Sequence, residues 1–161
     1  MDDLEARLAE LLVATSDYGD DGLPDSLHDF LRVLRETLKM DVVFVSKIAD
    51  GRRTFMAVDA VPGRDIIRPG MSDPVEQSWC HNIVQGRLPE LIKDGKPYIE
   101  SGQAPYTPLE IGTHLSVPVV RPDGSVYGTL CTFAFHVDAR VSDVDVAQLR
   151  EAAKLIAVRL R

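Results

Sequence analysis

The chain has 161 residues, 45% of them apolar and 27% charged, which is the size and balance of one ordinary folded domain and excludes collagen-like, disulfide-scaffold and long disordered chains. Its 18 basic and 25 acidic residues sum to −7 with no block of Lys/Arg, so neither a nucleic-acid surface nor a membrane anchor is expected. No apolar run approaches the roughly 18 residues of a bilayer span, and Asp2, Asp3 and Glu5 contradict a basic signal peptide, so the expected location is cytoplasmic.

Leu4, Leu8, Leu11 and Leu12 recur at helical spacing in residues 2–14, after which Gly19, Gly22 and Pro24 break the pattern. Residues 1–24 therefore read as an N-terminal amphipathic helix and loop ahead of a domain at 25–161. Asp25 or Ser26 can cap a second helix, whose Leu27, Phe30, Leu31, Leu34 and Leu38 form one stripe ending near Lys39. The period then changes. Residues 41–48 and 52–58 flank Asp50-Gly51, the clearest hairpin in the chain, with Arg52 and Arg53 read as its solvated face.

Pro62, Gly63, Pro69 and Gly70 mark a loop leading to a helix predicted from Pro74 as an early helical residue to Gly86, with Val75, Trp79, Cys80, Ile83 and Val84 on one stripe. Residues 88–92 are a short strand or turn. Residues 94–112, with three prolines and three glycines, are a long crossover loop with at most one helical turn. Two more strands, 114–120 and 125–135, surround Pro122-Asp123-Gly124. A last helix starts at a capping box, Ser142 with Asp145, and runs to Arg161 with Ala152, Ala153 and Ala157 as a small-residue surface suited to helix pairing. This order implies an α+β fold with a mostly antiparallel sheet and helices on both faces.

Three segments carry a resemblance: residues 77–94, from Gln77-Ser78-Trp79-Cys80-His81 through Leu91-Ile92-Lys93-Asp94; Ile111-Gly112-Thr113-His114-Leu115-Ser116-Val117-Pro118-Val119; and Asp123-Gly124-Ser125-Val126-Tyr127-Gly128-Thr129-Leu130-Cys131. In this order and at these separations they resemble the GAF domain, a small-molecule-sensing module, over roughly residues 25–160. The resemblance implies a central antiparallel sheet with the terminal helices on one face, forming a parallel homodimer interface. A pocket-covering helix and loop would lie on the other face. It further implies signal transduction: an unknown small molecule in the pocket would bias the C-terminal helix and through it a downstream effector domain.

The expected ligand-binding residues are Ser78, Trp79, Cys80, His81, Asp94, Thr113 and His114. Several have a plainer reading beside the functional one. Cys80 and Trp79 lie on an apolar stripe and also read as core; Asp94 reads as a turn former before Gly95; His28 and His136 read as surface residues. Counted from Pro74, Cys80 would sit in mid-helix, away from any activating N-terminus. Both cysteines read as free thiols, and 51 positions of separation supply no attacking and resolving pair.

No cofactor is assigned. Cys80-His81 looks like a bilin-holding pair but falls in the wrong segment, and His114 alone among polar and proline-rich neighbours is a poor haem site. No catalytic residue and no metal ligand set is named, since neither C-x-x-C nor H-x-x-x-H is present. Two other readings stay open: a small GAF-fold redox enzyme, similar to the methionine sulfoxide reductases, using Cys80, and a pocketless dimerisation module.

Overall fold

The computed structural model describes residues 3–13, 23–64 and 66–160. Helix α1 (Asp3–Val13) is followed by residues outside that description, where most of the expected 15–24 loop falls. Helix α2 (Leu27–Leu38) buries the predicted leucine and phenylalanine stripe. Ser26 stands at its N-cap, but the hydroxyl makes no capping bond; the helix ends on Lys39 in the left-handed region at φ 58°.

Strands β1 (Val42–Ala49) and β2 (Arg52–Ala60) pair antiparallel around Asp50 and Gly51, whose φ values of 55° and 75° make the tight turn that only such residues adopt readily. Strand β3 (Ser72–Pro74) edges β2, β4 (Leu91–Ile92) edges β5 (His114–Val120), and β6 (Val126–Phe133) pairs with both β5 and β1. Together they make one antiparallel sheet in the order β3-β2-β1-β6-β5-β4. The remaining helices are α3 (Trp79–Val84), α4 (Lys96–Glu100), the single short helix in the crossover loop, and α5 (Asp143–Ala157).

Strand periodicity divides the core in two. Val43 and Val45 of β1, Leu115, Val117 and Val119 of β5, and Leu130 of β6 face the layer formed by α1, α2 and α5. Val42 and Phe44, with Cys131 and Phe133 of β6, face the opposite side, under α3 and the crossover loop. The terminal helices therefore do share one face. Their apolar stripes are consumed within the chain: Ala152, Ala153 and Ala157 are 0%, 2% and 5% exposed and pack in the same core as Leu4, Leu8 and Leu12, so this surface is not left for pairing with another helix.

The Ser142–Asp145 capping box forms as expected. At the other end α5 stops at Ala157 rather than running on. Its last carbonyls are met by tighter bonds, Arg159 N–H to Ile156 O at 2.9 Å and Leu160 N–H to Ala157 O at 3.4 Å.

One irregularity matters for the site. Val45 pairs with Ala57 but Ser46 pairs with Phe55, so Met56 is an extra residue, a β-bulge on β2. Before it, Arg53 and Phe55 face the α3 side; after it, Asp59 faces α2, where it accepts from Arg35 Nε at 2.7 Å.

Candidate functional site

The predicted helix from Pro74 is two pieces. Pro74 is extended (φ −61°, ψ 143°) because β3 still pairs with β2, and Val75 N–H bonds Gly51 O at 3.0 Å. A single 3-10 turn, Val75–Gln77, follows. Ser78 then breaks the chain at ψ 132° and caps α3, its hydroxyl accepting from His81 N–H at 2.9 Å. Cys80 is thus the second residue of α3, not a mid-helix one, and its side chain points down onto β6.

Between α3, the sheet and the crossover loop lies a cavity of about 240 Å³. Phe44, Phe55 and Phe133 from three strands form its floor, Trp79 and His114 one wall, and residues 106–109 with Ile111 its cover. Trp79 donates Nε1–H to Pro105 O at 2.9 Å, tying this cover to α3. Gly95 lets the loop approach: a Cβ there would come within 2.9 Å of the Trp79 ring and 2.8 Å of Ile111 O. The rim is apolar and open to solvent at Ile66, Met71 and Tyr106, which are 46%, 47% and 79% exposed.

The expected solvated Arg52–Arg53 pair is half right. Arg52 is exposed and bonds Ser72 Oγ at 2.8 Å, but Arg53 is buried in the cavity wall. Its guanidinium grips Asp73 on β3 with two bonds, Nε to Oδ1 at 2.9 Å and Nη2 to Oδ2 at 2.6 Å, and lies 4.3 Å from the Phe55 ring centroid. Its third arm, Nη1, is 3.3 Å from Cys80 Sγ. Cys80 Sγ is in turn 2.9 Å from Cys131 Sγ, which lies 2.8 Å from Ser116 Oγ and 3.2 Å from Thr129 Oγ1. A continuous polar chain therefore runs from the cavity into the sheet. A separation of 51 positions in sequence does not keep the sulfurs apart, because α3 packs directly on β6.

Electrostatics along this chain are uneven. Burial disfavours a charged Cys80, but the hydrogen bond with Cys131 and the charge of Arg53 outweigh it and bring the thiol down to about 6. Burial pushes Cys131 up instead, and the neighbouring Cys80 charge adds to that. Arg53 would lose from burial, yet Cys80 and Asp73 hold it above its ordinary value.

His114 is 2% exposed, with ring centroids 5.2 Å from Trp79 and 6.4 Å from Phe133. Burial, and then the Arg53 charge, lower its pKa to about 3, so it is neutral at physiological pH. Its Nδ1 has no hydrogen-bond partner among the described residues. Unfolded, the imidazole binds a proton below its ordinary 6.5; folded, only below about 3. Between those values the unfolded chain carries the extra proton, so stability falls as pH drops, by about 2 kcal/mol from pH 7 to 5, and the group contributes little above 7. Replacing His114 with Phe should flatten the acid limb by that amount in urea unfolding at pH 7 and pH 5. Parallel pH dependences in the two proteins would show that His114 does not cause the acid loss.

Of the seven expected residues, only Trp79 and His114 line the cavity. Ser78 is the α3 cap and Cys80 lies behind Arg53. His81 is half-buried and enters the hydrogen-bond pattern through its backbone. Asp94 is exposed and bonds Lys96 N–H at 3.1 Å, the turn role of its plainer reading. Thr113 is a fully buried brace, donating to Lys93 O and accepting from Asp138 N–H, each at 2.7 Å. Arg53, Asp73 and the phenylalanines were missed. Alternation on β2 puts Arg53 on the face of Phe55, and that shared parity was the available signal.

A family model, that of the GAF domain, matches residues 22–161. No curated protein matches the chain. Among solved structures, the GAF domain of a phosphoenolpyruvate-protein phosphotransferase from Acinetobacter is 16% identical, with TM-score 0.70, over 96% of this chain and 91% of that one. The phycocyanobilin-bound GAF domain from a cyanobacterial phytochrome is 12% identical, with TM-score 0.72, over 98% and 93%. A free methionine-R-sulfoxide reductase from Neisseria meningitidis, in complex with its substrate, is 17% identical, with TM-score 0.71, over 99% and 91%. At these identities the likeness establishes the fold.

Proposed function

The chain belongs to the GAF domain family, and from that premise we propose that it is a sensory domain binding a small molecule in the cavity under α3. The observation that carries this reading is His114: a neutral, buried imidazole in an aromatic wall, with Nδ1 lacking a partner among the described residues. A buried ring nitrogen of this kind costs free energy until a complementary polar group reaches it, and a ligand donor or acceptor, according to the tautomer, would supply one. The cavity of about 240 Å³ lies just under the ~300–1,000 Å³ of drug-sized sites, which suits a compact ring. Phe44, Phe133 and Trp79 line the cavity, so such a ring would meet aromatic side chains.

The geometry also suggests a route outward. Strand β5 carries His114 on its cavity face and Leu115 and Val117 on the other, in one core with Leu149 and Ile156 of α5. A ligand that draws β5 toward the cavity would shift the bed on which α5 rests. Transmission to an effector through α5 belongs to this reading. So does a homodimer, which would use surfaces of the terminal helices other than the buried stripes.

Native mass spectrometry of freshly purified protein and a thermal-shift panel of one- and two-ring heteroaromatic compounds test the proposal. A hit at about 100 times its Kd should add about 2.7 kcal/mol of stability, and the gain should be lost in a His114→Phe protein. Neither a retained molecule nor any shift at millimolar concentration would overturn it.

The proximity of Cys80 and Cys131 favours a second reading, a thiol-dependent reductase for a small sulfoxide. Turnover of free methionine sulfoxide with dithiothreitol that disappears in Cys80→Ser would support it. The cavity weighs against a pocketless module.

A further inference from the structure

We propose that Cys80 and Cys131 are an oxidisable dithiol, in which hydrogen peroxide oxidises Cys80 and Cys131 resolves it to a disulfide beside Arg53. This does not require the cavity to bind a sensed ligand. It is a redox input built into the same domain.

Geometry supplies the pair. The two sulfurs are 2.9 Å apart, so closing a bond of about 2.05 Å needs an approach of a little under 1 Å between α3 and β6. Both side chains are fully buried, which favours this intramolecular partner over a second chain. Arg53 differentiates them: its Nη1 is 3.3 Å from Cys80, while Cys131 faces the hydroxyls of Ser116 and Thr129. Cys80 is thus placed to attack as the thiolate and Cys131 to wait as the thiol. Cys80 does not line the cavity, and Arg53 stands between them in its wall, so a cavity-bound peroxide reaches the sulfur only when that one side chain swings aside. A merely structural role for Cys80 would need no buried cation beside it, since a small apolar side chain fills the same space.

The chemistry balances without further reagents. The Cys80 sulfur attacks one oxygen of hydrogen peroxide; an S–O bond forms, the O–O bond breaks, and the departing hydroxide takes the proton that the Cys80 thiol gave up and leaves as water. Cys80 is oxidised by two electrons to the sulfenic acid and the peroxide is reduced. The Cys131 sulfur then attacks Cys80; the S–S bond forms, the S–O bond breaks, and the hydroxyl leaves as water with the Cys131 proton. Two thiols and one hydrogen peroxide give one disulfide and two waters.

The test exposes the reduced full chain to hydrogen peroxide, denatures it in N-ethylmaleimide and reads the intact mass. The expected product is a monomer lighter by two hydrogens that takes up no maleimide and regains both thiols with dithiothreitol. Cys131→Ser should stop at a sulfenic acid that dimedone traps, and Cys80→Ser should keep its thiol. Two alkylatable thiols after an exposure that oxidises glutathione would overturn the proposal; so would a bridge between two chains, or a Cys80→Ser protein oxidised as fast as the parent.

Arg53→Met should slow oxidation at pH 7 more than about tenfold, as the thiolate fraction falls to that of an ordinary thiol. If that variant fails to fold, the parent's pH profile reads the same point. The groups facing Cys80 are Arg53 on β2, with Asp73 behind it on β3, and Cys131 and Thr129 on β6. With those in place the rate should halve near pH 6 and level off above 7. A rate still rising steeply from pH 8 to 9 would sink the activation by Arg53.

Discussion

Gly128→Ala is expected to destabilise the fold by about 3 kcal/mol or more, at the upper end of overpacking costs. Gly128 lies on β6 opposite Lys47 of β1. A Cβ there would overlap the Ser46 carbonyl oxygen and come within 2.7 Å of the Ser46 carbonyl carbon and 2.9 Å of Lys47 Cα. These are backbone atoms, so no rotamer change relieves them. Strand β1 cannot retreat either, because β2 holds its other edge and Val43 and Val45 are fully buried against the helices. For a chain of this length the loss corresponds to a fall in Tm of roughly 10 °C. Thermal unfolding followed by circular dichroism reads it directly; a Tm within about 2 °C of the parent's would mean that β1 and β6 do not approach as described.

The second large effect concerns an ion pair on the helical face of the sheet. Arg35 on α2 and Asp59 on β2 have side chains only 10% and 9% exposed, with Nε and Oδ2 at 2.7 Å. Removing one member of such a pair strands the other, so Arg35→Met should cost about 3–5 kcal/mol, far more than the pair contributes relative to apolar residues of similar volume. The double replacement Arg35→Met with Asp59→Leu should recover most of that loss. His28, whose Nε2 is 3.2 Å from Asp59 Oδ1, is mostly exposed and cannot replace the buried guanidinium. A urea double-mutant cycle separates the two ideas: a double variant as unstable as the single one would show that the net attraction, and not the stranded charge, dominates.

The fold was largely legible because its signals are local. The stripe from Leu27 to Leu38, the Asp50-Gly51 turn and the Ser142–Asp145 cap each depend on residues within a few positions of one another, and each formed where expected. The site was only partly legible. Trp79 and His114 could be placed because both belong to the segments resembling GAF domains. Asp94 and Thr113 belong to them too, yet the structure uses one as a turn former and the other as a brace. Proximity in sequence to a pocket does not decide which way a short polar side chain turns.

The sequence by itself determined the α+β class, the two hairpins and the helix stripes, since apolar periodicity and turn chemistry act over a few residues. It also carried the family. What only the tertiary structure decided turns on two interruptions of those periods. The extra residue Met56 reverses the alternation of β2, so Arg53 and Asp59, six positions apart and of the same parity, face opposite sides of the sheet. The break at Ser78 starts α3 afresh and sets Cys80 over β6, where it meets Cys131 and Arg53. Neither interruption is visible as a period, because each is set by pairing with a strand remote in sequence: Met56 by the register of β1, and Pro74 and Ser78 by the hold of β3 on β2. The buried cation, the thiol pair and the cavity wall all follow from those long-range pairings.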